Sequence, residues 1–224
     1  MGSKNKLRRF RENETFSNVI QPSRNTITEG FDFLGHWHKH FGNNNPITLE
    51  LGCGKGEYAI ALAKQYPDRN FIGVDIKGAR FWRGAKTALE EKITNVAFLR
   101  TQIELIDLCF AENEVNEIWI TFPDPQIKFK RTKHRLTNPE FLKKYQYILE
   151  ENGLIHLKTD SEFLHGYTLG LIQGQGHELL YAHNDIYKNF EAPAEATLTQ
   201  TFYEKQFLEI KKPITYLKFK PKFL

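Results

Sequence analysis

An apolar strand that runs directly into a glycine-rich turn constrains the fold of this chain more than any other feature. The segment from Ile47 to Leu51 reads as a buried strand. Glycines follow it at three alternate positions, Gly52, Gly54 and Gly56. Apolar residues then recur at three- and four-residue spacing from Tyr58 to Tyr66, which is the pattern of a helix. Strand, glycine turn and helix form the first unit of a Rossmann-like α/β sheet, and we predict that fold.

The turn differs from the two best-known nucleotide-binding turns. Lys55 is followed by Gly56 rather than by Ser or Thr, which excludes a Walker phosphate loop. The third glycine comes one residue too early for the dinucleotide fingerprint. Glu50 also places a carboxylate just before the turn, where it would repel a pyrophosphate and attract a cationic ligand. The sulfonium and amino group of S-adenosylmethionine meet that requirement.

A second carboxylate follows the next strand. The segment Phe71–Asp75 ends in Asp75, which lies 19 residues after Gly56 and close to the expected place of a ribose-binding acid. Glu50, the glycines and Asp75 together indicate the core of an S-adenosylmethionine-dependent methyltransferase. An ordinary tight turn between a strand and a helix is the alternative.

Composition and cysteine usage limit the class of protein. With 224 residues the chain suits one domain, or one domain with an arm. Hydrophobic residues make up 40% and charged residues 26%, as in ordinary soluble proteins, and no apolar run approaches the roughly 20 residues of a membrane helix. The basic N-terminus lacks the apolar stretch of a signal peptide. Cys53 and Cys109 form no Cys-x-x-Cys pair, so we expect a reduced, cytoplasmic protein.

Positive charge is concentrated in two short stretches. Residues 1–11 carry five Lys and Arg residues and no acid, and residues 128–135 carry five more together with His134. Without these ten, 21 Lys and Arg residues remain against 27 Asp and Glu, so the rest of the chain is acidic. This distribution favours a polyanionic partner. A solvated basic tail would explain the first stretch almost as well.

Residues 1–45 are predicted to form a basic arm and a helix, and residues 46–224 the catalytic domain. Apolar residues show little periodicity before about residue 28, and we expect disorder at the very start. A helix is predicted over 29–41 with Trp37 as its core anchor. Its three histidines have no Cys or Glu nearby to complete a ligand set, so no metal is expected.

Seven strands are predicted in all. They cover residues 47–51, 71–75, 96–100, 117–122, 153–159, 177–182 and 214–220. The last two are expected to be antiparallel neighbours. The prediction is therefore a mostly parallel seven-stranded sheet with helices on both faces and an antiparallel C-terminal strand.

Further candidate site residues follow the strand ends, where open α/β sheets place their chemistry. Gln102 follows the third strand and can hydrogen-bond an adenine amino group, although a surface capping role would suit it equally. Asp124 follows the fourth strand between two prolines, which fix the backbone around its carboxylate. Asp160 ends the fifth strand. Lys128 begins the basic run four residues after Asp124, and we expect that run to grip substrate phosphate.

These motifs together resemble the bacterial tRNA (guanine-N7-)-methyltransferase family. They are Glu50–Gly56, Phe122–Pro125, the adjacent basic run, Thr159–Asp160 and Thr201–Glu204. The resemblance covers the chain from about residue 10 onward. Many methyltransferases share such a glycine turn, whereas Phe-Pro-Asp-Pro, a Lys/Arg/His run and a later Thr-x-Tyr-Glu are much more specific in combination. The resemblance implies a class I methyltransferase fold, with S-adenosylmethionine as donor and N7 of a guanine in the tRNA variable loop, at tRNA position 46, as acceptor.

The resemblance also implies a role for each motif residue. Cofactor contacts would come from the three glycines of the turn and from Glu50, Asp75, Gln102 and Asp124. Substrate contacts would come from Lys128, Asp160, Thr201, Phe202, Tyr203 and Glu204. RNA backbone contacts would come from Lys130, Arg131, Lys133 and Arg135. Asp124 would also be catalytic. Two residues depart from the family pattern, since Gln126 replaces a Trp and Gln102 replaces an acid.

A reaction at guanine N7 calls for carboxylates that stabilise positive charge rather than for a general base that removes a proton. N7 carries a free lone pair, so no base is needed to expose the nucleophile. A carboxylate near the purine stabilises the positive charge that develops there, and we assign to Asp124 either this role or acceptance of the N1 proton. Asp160 or Glu204 is expected to accept from guanine N1–H and N2–H₂, a donor pair that adenine lacks. The expected partner is tRNA, without a membrane or a metal, and the protein is expected to be a monomer or a homodimer.

Three other functions fit parts of the sequence. An amino-group methyltransferase acting on adenine or a protein amide would carry Asn/Asp-Pro-Pro-aromatic after the fourth strand, which Phe122–Gln126 does not match. A non-catalytic RNA-binding protein with a Rossmann-like core would share the fold without binding the methyl donor. A nicotinamide dehydrogenase is disfavoured by the glycine spacing and by Glu50.

Overall fold

The computed structural model describes residues 3–222, in which a single eight-stranded sheet forms the centre. The strands are β1 (Val19–Ile20), β2 (Ile47–Leu51), β3 (Asn70–Val74), β4 (Val96–Leu99), β5 (Val115–Thr121), β6 (Leu149–Thr159), β7 (Glu178–His183) and β8 (Thr215–Lys220). Their order across the sheet is β1-β4-β3-β2-β5-β6-β8-β7. Neighbours from β1 to β6 are parallel, and β8 is antiparallel to both β6 and β7. The predicted α/β fold with an antiparallel C-terminal strand is confirmed, and β1 adds an eighth strand at one edge.

Helices cover both faces of this sheet. They are α1 (Ser3–Thr15), α2 (Arg24–Glu29), α3 (Trp37–Phe41), α4 (Glu57–Gln65), α5 (Gly78–Glu90), α6 (Pro139–Ile148), α7 (Glu162–Gln175), α8 (Ala194–Thr197) and α9 (Phe202–Glu209), with short 3₁₀ helices at Ile103–Leu108, Phe129–His134 and Ile186–Lys188. Side chains alternate between the faces along each strand. Leu49 and Ile118 pack with α2, α3, α6 and α7, whereas Trp119 and Phe98 pack with α4 and α5.

The single helix predicted over 29–41 is wrong. The chain forms α2, an irregular turn and α3 instead. Gly30 and Gly35 lie at φ +141° and +73°, in the region that interrupts a helix and favours glycine. Trp37 is nevertheless the core anchor that was predicted: its side chain is fully buried, its Nε1 donates to the carbonyl of Cys109 at 3.0 Å, and Phe110 stacks on its ring.

The region expected to be an irregular arm contains α1, β1 and α2. Polar contacts fasten α1 to α5. The Asn13 side chain is buried and donates to the carbonyl of Gly78 at 2.9 Å, and Trp82 Nε1 donates to the carboxylate of Glu12 at 2.6 Å. Such polar contacts leave no regular spacing of apolar residues in the sequence, so the apolar pattern does not reveal α1. Disorder was expected at the very start of the chain. Met1 and Gly2 lie outside the described residues, so for them this expectation stays a prediction.

Candidate active site

The glycine turn after β2 combines open space with close packing. Gly52, Gly54 and Gly56 all lie at positive φ, between +56° and +76°. A Cβ atom at Gly52 or Gly54 would meet no neighbour closer than 3.9 Å, so this side of the turn is open to a ligand. A Cβ atom at Gly56 would lie 2.4 Å from the ring of Phe98. Gly56 therefore serves the packing of α4 against the sheet, and Gly52 and Gly54 leave room for a ligand.

Glu50 is a buried carboxylate at the end of β2. Its side chain accepts hydrogen bonds from the backbone N–H of Ala59 at 3.0 Å and from the hydroxyl of Thr121 at 2.8 Å. Burial raises the pKa of Glu50 to about 7, because desolvation outweighs these two hydrogen bonds. The nearby charges of Glu57 and Asp75 contribute a smaller part of this rise. Among residues 3–222, no Lys, Arg or His side chain forms a salt bridge with this carboxylate.

Asp75 ties two turns together at the ends of β2 and β3. One carboxylate oxygen accepts from the backbone N–H of Gly54 at 3.1 Å, and the other from that of Lys77 at 2.7 Å. The parallel pairing of β2 with β3 brings this acid beside the glycine turn although the two are distant in sequence. The structure therefore places the Asp75 carboxylate against the backbone of the glycine turn.

A hollow lies next to Asp75, at the end of β4. Ile76, Thr101, Gln102 and Leu105 line it, together with Ile27 of α2. Gln102 is exposed and precedes the 3₁₀ helix, but its side chain makes no capping hydrogen bond. Of the two roles weighed for Gln102, surface capping is absent in this structure, and its side-chain amide at the rim of the hollow forms no hydrogen bond within residues 3–222.

The Phe122–Gln126 loop is held in an unusual backbone conformation. Phe122 and Gln126 both lie at φ +47°, the left-handed region that side chains other than glycine rarely adopt. Between them Asp124 is exposed and accepts a hydrogen bond from the backbone N–H of Gln126 at 3.0 Å. Phe122 lines the cleft that contains Glu50, whereas Asp124 stands two residues further along and does not line it. The loop thus presents the Asp124 carboxylate to solvent, two residues beyond a wall of the cleft.

The basic segment divides into exposed cations and one buried arginine. Lys128, Lys130, Arg131 and Lys133 are exposed on or beside the 3₁₀ helix Phe129–His134. Arg135 is only 5% exposed. Its guanidinium donates to the carbonyls of residues 126 and 127 and lies over the rings of residues 163 and 167. The expectation that Arg135 contacts RNA is not supported, because this side chain supports the Asp124 loop instead.

The start of α9 forms the opposite wall of the cleft. Thr201 and Tyr203 line it together with Glu50 and Phe122. The backbone N–H of Phe202 donates to the carboxylate of Glu57 at 2.8 Å, which fastens α9 to the start of α4. Three predicted segments, the glycine turn, Phe122 and Thr201–Tyr203, are therefore brought together around one cleft.

Glu204 is buried rather than presented to a substrate. Its carboxylate forms an ion pair with Lys158 Nζ at 2.6 Å, and both side chains are inaccessible to solvent. It also accepts from the hydroxyl of Tyr187 at 2.7 Å and completes a capping box with Thr201. Burial lowers the pKa of Lys158, and the Glu204 charge opposes that shift. The expectation that Glu204 contacts the edge of the guanine is therefore corrected. Its buried contacts with Lys158, Tyr187 and Thr201 hold the start of α9 in place instead.

Asp160 follows β6 and remains partly accessible. One carboxylate oxygen pairs with Lys212 Nζ, and the other, Oδ1, has no hydrogen-bond partner within residues 3–222. Thr159 Oγ1 accepts from the backbone N–H of Ser161 and shapes the turn that carries the acid. Asp160 thus keeps a free acceptor atom, which Glu204 does not.

Several residues of the cleft were not singled out from the sequence. They are Lys55, Tyr58, Arg80 and Thr121. Thr121 offered a signal, since it is the last residue but one of the fourth predicted strand and immediately precedes Phe122. Arg80 offered none, because its place in the cleft depends on the docking of α5. Among residues 3–222, no three His, Cys, Asp or Glu side chains are grouped as a metal would require, and no helix is long and apolar enough to cross a membrane.

Comparison with known proteins gives consistent matches. Residues 44–217 match a family described as putative methyltransferase. The chain is 68% identical to the tRNA (guanine-N(7)-)-methyltransferase of Christiangramia forsetii over 224 residues, covering 99% of this chain and all of the relative. It is 49% identical to the enzyme of the same name from Porphyromonas gingivalis, covering 92% of this chain and 85% of the relative.

A solved structure shares the fold at low sequence identity. The crystal structure of the 16S rRNA methyltransferase KamB superimposes with a TM-score of 0.64 at 13% identity, covering 84% of this chain and 94% of the other. At that identity the similarity concerns the fold alone. The order of strands and the antiparallel β8 thus belong to a fold that methyltransferases use.

Proposed function

Because the chain belongs to the tRNA (guanine-N7-)-methyltransferase family, we propose that it transfers a methyl group from S-adenosylmethionine to N7 of a guanine in the tRNA variable loop. The observation that carries this proposal is the cleft in which buried Glu50, the open glycine turn and Thr201–Tyr203 meet. We also propose that it acts in the cytoplasm, where tRNA is modified, in agreement with its two free, buried thiols, Cys53 and Cys109.

The residues of the cleft fit the methyl donor. Gly52 and Gly54 leave open space beside the turn, and the Glu50 carboxylate has no cationic partner within residues 3–222. Asp75 stands at the end of the next strand, where a ribose-binding acid belongs, and the hollow at Gln102 lies beyond it. When bound, the donor supplies an electrophilic methyl group on a positively charged sulfur. Glu50 would hold the cationic end, Asp75 the ribose and Gln102 the adenine.

The acceptor guanine would enter between the Asp124 loop and the start of α9. Guanine N7 has a free lone pair, so the enzyme needs to orient the base rather than deprotonate it. Positive charge develops on the purine during transfer, and Asp124 would stabilise it from the rigid loop. Asp160 Oδ1 would accept from the Watson–Crick edge of guanine, and Tyr203 and Phe202 would contact the substrate from the exposed side of α9.

The proposed function is tested by identifying the methylated nucleoside. Purified protein is incubated with labelled S-adenosylmethionine and bulk tRNA, and the RNA is digested to nucleosides for chromatography and mass spectrometry. We expect the label in 7-methylguanosine. A transcript whose variable-loop guanine is replaced by adenine serves as the matched control and should stay unlabelled. Label in another nucleoside, or none in any tRNA, would contradict the proposal.

The exposed cations after Asp124 should contribute a salt-dependent share of tRNA binding. Replacing Lys128, Lys130 and Arg131 by alanine removes three exposed charges, and we expect the slope of log affinity against log salt to fall by about three. The measurement is tRNA binding by fluorescence anisotropy over a series of salt concentrations. The control removes Lys64, Lys188 and Lys220, three charges outside this segment. Equal slopes for the two triple variants would show that the segment is only a solvated loop.

A further inference from the structure

A second concentration of positive charge lies beside the cleft, between α1 and the ends of β3 and β4. Its cations are Lys6, Arg9, Lys77, Arg80 and Arg100. They surround a cavity of about 490 Å³ that we call the N-terminal basic cavity, with Phe10 and Ile76 as its apolar wall. None of the residues that line it is acidic. The methyl-transfer reaction as described above uses none of the charges contributed by α1.

Two of these cations, Arg9 and Arg100, are held in place by contacts with the fold. Asn13 and Glu12 fasten α1 to α5, and Arg9 Nη1 donates to the carbonyl of Ala79 at 3.3 Å. The guanidinium of Arg100 lies 4.9 Å from the ring of Phe10. The basic residues of α1 are therefore parts of a docked helix, and the interpretation as a solvated tail does not describe them.

Three of the five cations that line the cavity have no acidic partner in the described part of the chain. Among residues 3–222, Lys6, Lys77 and Arg80 form no salt bridge. Glu12 is engaged by Arg8 and Trp82. Asp75, next to the cavity in sequence, accepts hydrogen bonds from two backbone N–H groups. Cations gathered without carboxylates repel one another, and an anion that enters relieves this repulsion.

The cavity shares lining residues with both ends of the candidate cofactor site. Arg80 also lines the cleft that contains Glu50 and Tyr203. Ile76 and Arg100 also line the hollow at Gln102. The five charges exceed what one small phosphate requires. A ligand that presents several negative charges along an extended chain, and that also delivers a base to the cleft, matches this arrangement.

We propose that the N-terminal basic cavity binds backbone phosphate of the tRNA whose guanine enters the cleft. The inference rests on the proposed function, since it takes tRNA as the substrate. Arginine guanidinium groups match phosphate oxygens in a planar fork, and lysines add point charges. Such contacts position an RNA without reading its sequence. Helix α1 thereby becomes part of the substrate-binding surface, on the Arg80 side of the cleft.

A double variant of two residues that line the cavity but not the cleft tests the proposal. Lys6→Ala/Lys77→Ala removes two exposed charges and retains the backbone N–H of residue 77 that Asp75 accepts from. We expect tRNA affinity to fall roughly tenfold and its salt slope to fall by about two. The affinity for S-adenosylmethionine, measured by calorimetry, should stay within about twofold. Lys64→Ala/Lys220→Ala is the matched control, because it removes the same charge from α4 and β8.

Each outcome decides the proposal. An unchanged salt slope in Lys6→Ala/Lys77→Ala would overturn it, and so would an equal loss in the control, which would indicate a general charge effect. Calorimetry with inorganic pyrophosphate forms a second arm. Tight pyrophosphate binding that depends on Lys6 and Lys77, with tRNA binding unchanged, would identify a small-anion site and exclude RNA. Wild-type protein that fails to bind tRNA would overturn the proposed function together with this inference, whereas wild-type methylation with an unaffected double variant would overturn the inference alone.

Discussion

Replacement of Asp124 by alanine is expected to slow methyl transfer by at least about a hundredfold while tRNA affinity stays within about threefold of wild type. Removing one preorganised group that stabilises transition-state charge typically costs about 10² to 10³ in rate. The side chain is exposed and contributes no packing, so the fold should persist. The measurement is single-turnover methylation at saturating methyl donor, combined with a direct tRNA-binding assay.

Asp124→Asn separates the charge from the geometry of the loop. Asparagine keeps an oxygen that can accept from the backbone N–H of Gln126, as Asp124 does at 3.0 Å. If the negative charge stabilises the methylated purine, the asparagine variant should be as slow as the alanine variant. A fast asparagine variant beside a slow alanine variant would assign to Asp124 a purely structural role. Near-wild-type turnover in both would remove Asp124 from the mechanism.

The backbone around Asp124 supports an active role. Phe122 and Gln126 both lie at φ +47°, and each such residue costs on the order of 1–3 kcal/mol. Specific contacts compensate for this cost. The N–H of Phe122 donates to the carbonyl of Lys158 at 2.8 Å, and Arg135 donates to the carbonyl of Gln126 at 3.2 Å. A conformation kept in this way at the rim of a cleft favours a function for the carboxylate it carries.

The sequence predicted the parts of the site that depend on local pattern. Strand β2, the glycine turn and α4 are adjacent in the chain, and their periodicity identifies them. Asp75 was identified as a candidate because it follows the next strand along the chain. Its contact with the glycine turn depends on the parallel pairing of β2 with β3.

The roles of Glu204 and Arg135 could not be predicted in the same way. Each role depends on residues of other elements. Glu204 forms a buried ion pair with Lys158 of β6. The Arg135 guanidinium lies over the rings of Phe163 and Tyr167 of α7. From the sequence alone, an arginine in a basic run or a carboxylate in a substrate motif is expected to be exposed. Only the structure shows the partners that bury it. The Thr201-x-x-Glu204 spacing did contain a usable signal, because it is the pattern of a capping box.

The N-terminal region was the least predictable part of the fold. Strand β1 contains only two residues, which is too short for any periodicity, and it is defined by its pairing with β4. Helix α1 docks through polar groups on α5. Hydrophobic patterns are informative where apolar burial holds an element in place, and they fail where hydrogen bonds between distant elements do so.

Glu50→Gln should weaken binding of S-adenosylmethionine by at least about a hundredfold and stabilise the ligand-free protein at alkaline pH. Loss of one partner of a desolvated charge pair costs roughly 2–5 kcal/mol in binding. The glutamine amide can keep both contacts, with its oxygen accepting from Ala59 N–H and its nitrogen donating to the Thr121 hydroxyl. Binding is measured by calorimetry, and stability by urea denaturation of the ligand-free proteins at several pH values.

The pKa of Glu50 gives the direction of the stability change. Burial raises this pKa from 4.5 to about 7, so the stability associated with the neutral form is fully present below pH 4.5 and is lost as the pH rises through 7. One pKa unit corresponds to about 1.36 kcal/mol, so ionised Glu50 costs the ligand-free fold on the order of 3 kcal/mol above pH 7. Glutamine avoids that cost. The advantage of the variant should therefore be small at pH 5 and largest near pH 8.

Glu57→Gln provides the matched control, because its side chain is 40% exposed and the substitution removes the same charge near the same cleft. We expect it to show a much smaller alkaline stability gain, because the Glu57 charge contributes only a minor part of the rise in the pKa of Glu50. A Glu50→Gln protein that is less stable than wild type at pH 8 would show that the fold stabilises the carboxylate rather than straining it. Wild-type donor affinity in that variant would remove Glu50 from the cationic end of the ligand.

Adding the donor should remove most of the stability advantage that the Glu50→Gln variant has at pH 8. At a donor concentration about a thousand times the wild-type Kd, binding adds about 4 kcal/mol to the stability of the wild type. A variant with a hundredfold weaker affinity gains only about 1.4 kcal/mol at the same concentration. The difference of about 2.7 kcal/mol offsets most of the roughly 3 kcal/mol that ionised Glu50 costs, and the bound cation also favours the ionised form. The same buried charge would thus destabilise the free protein and stabilise the complex, as expected of a carboxylate retained for binding a cation rather than for folding.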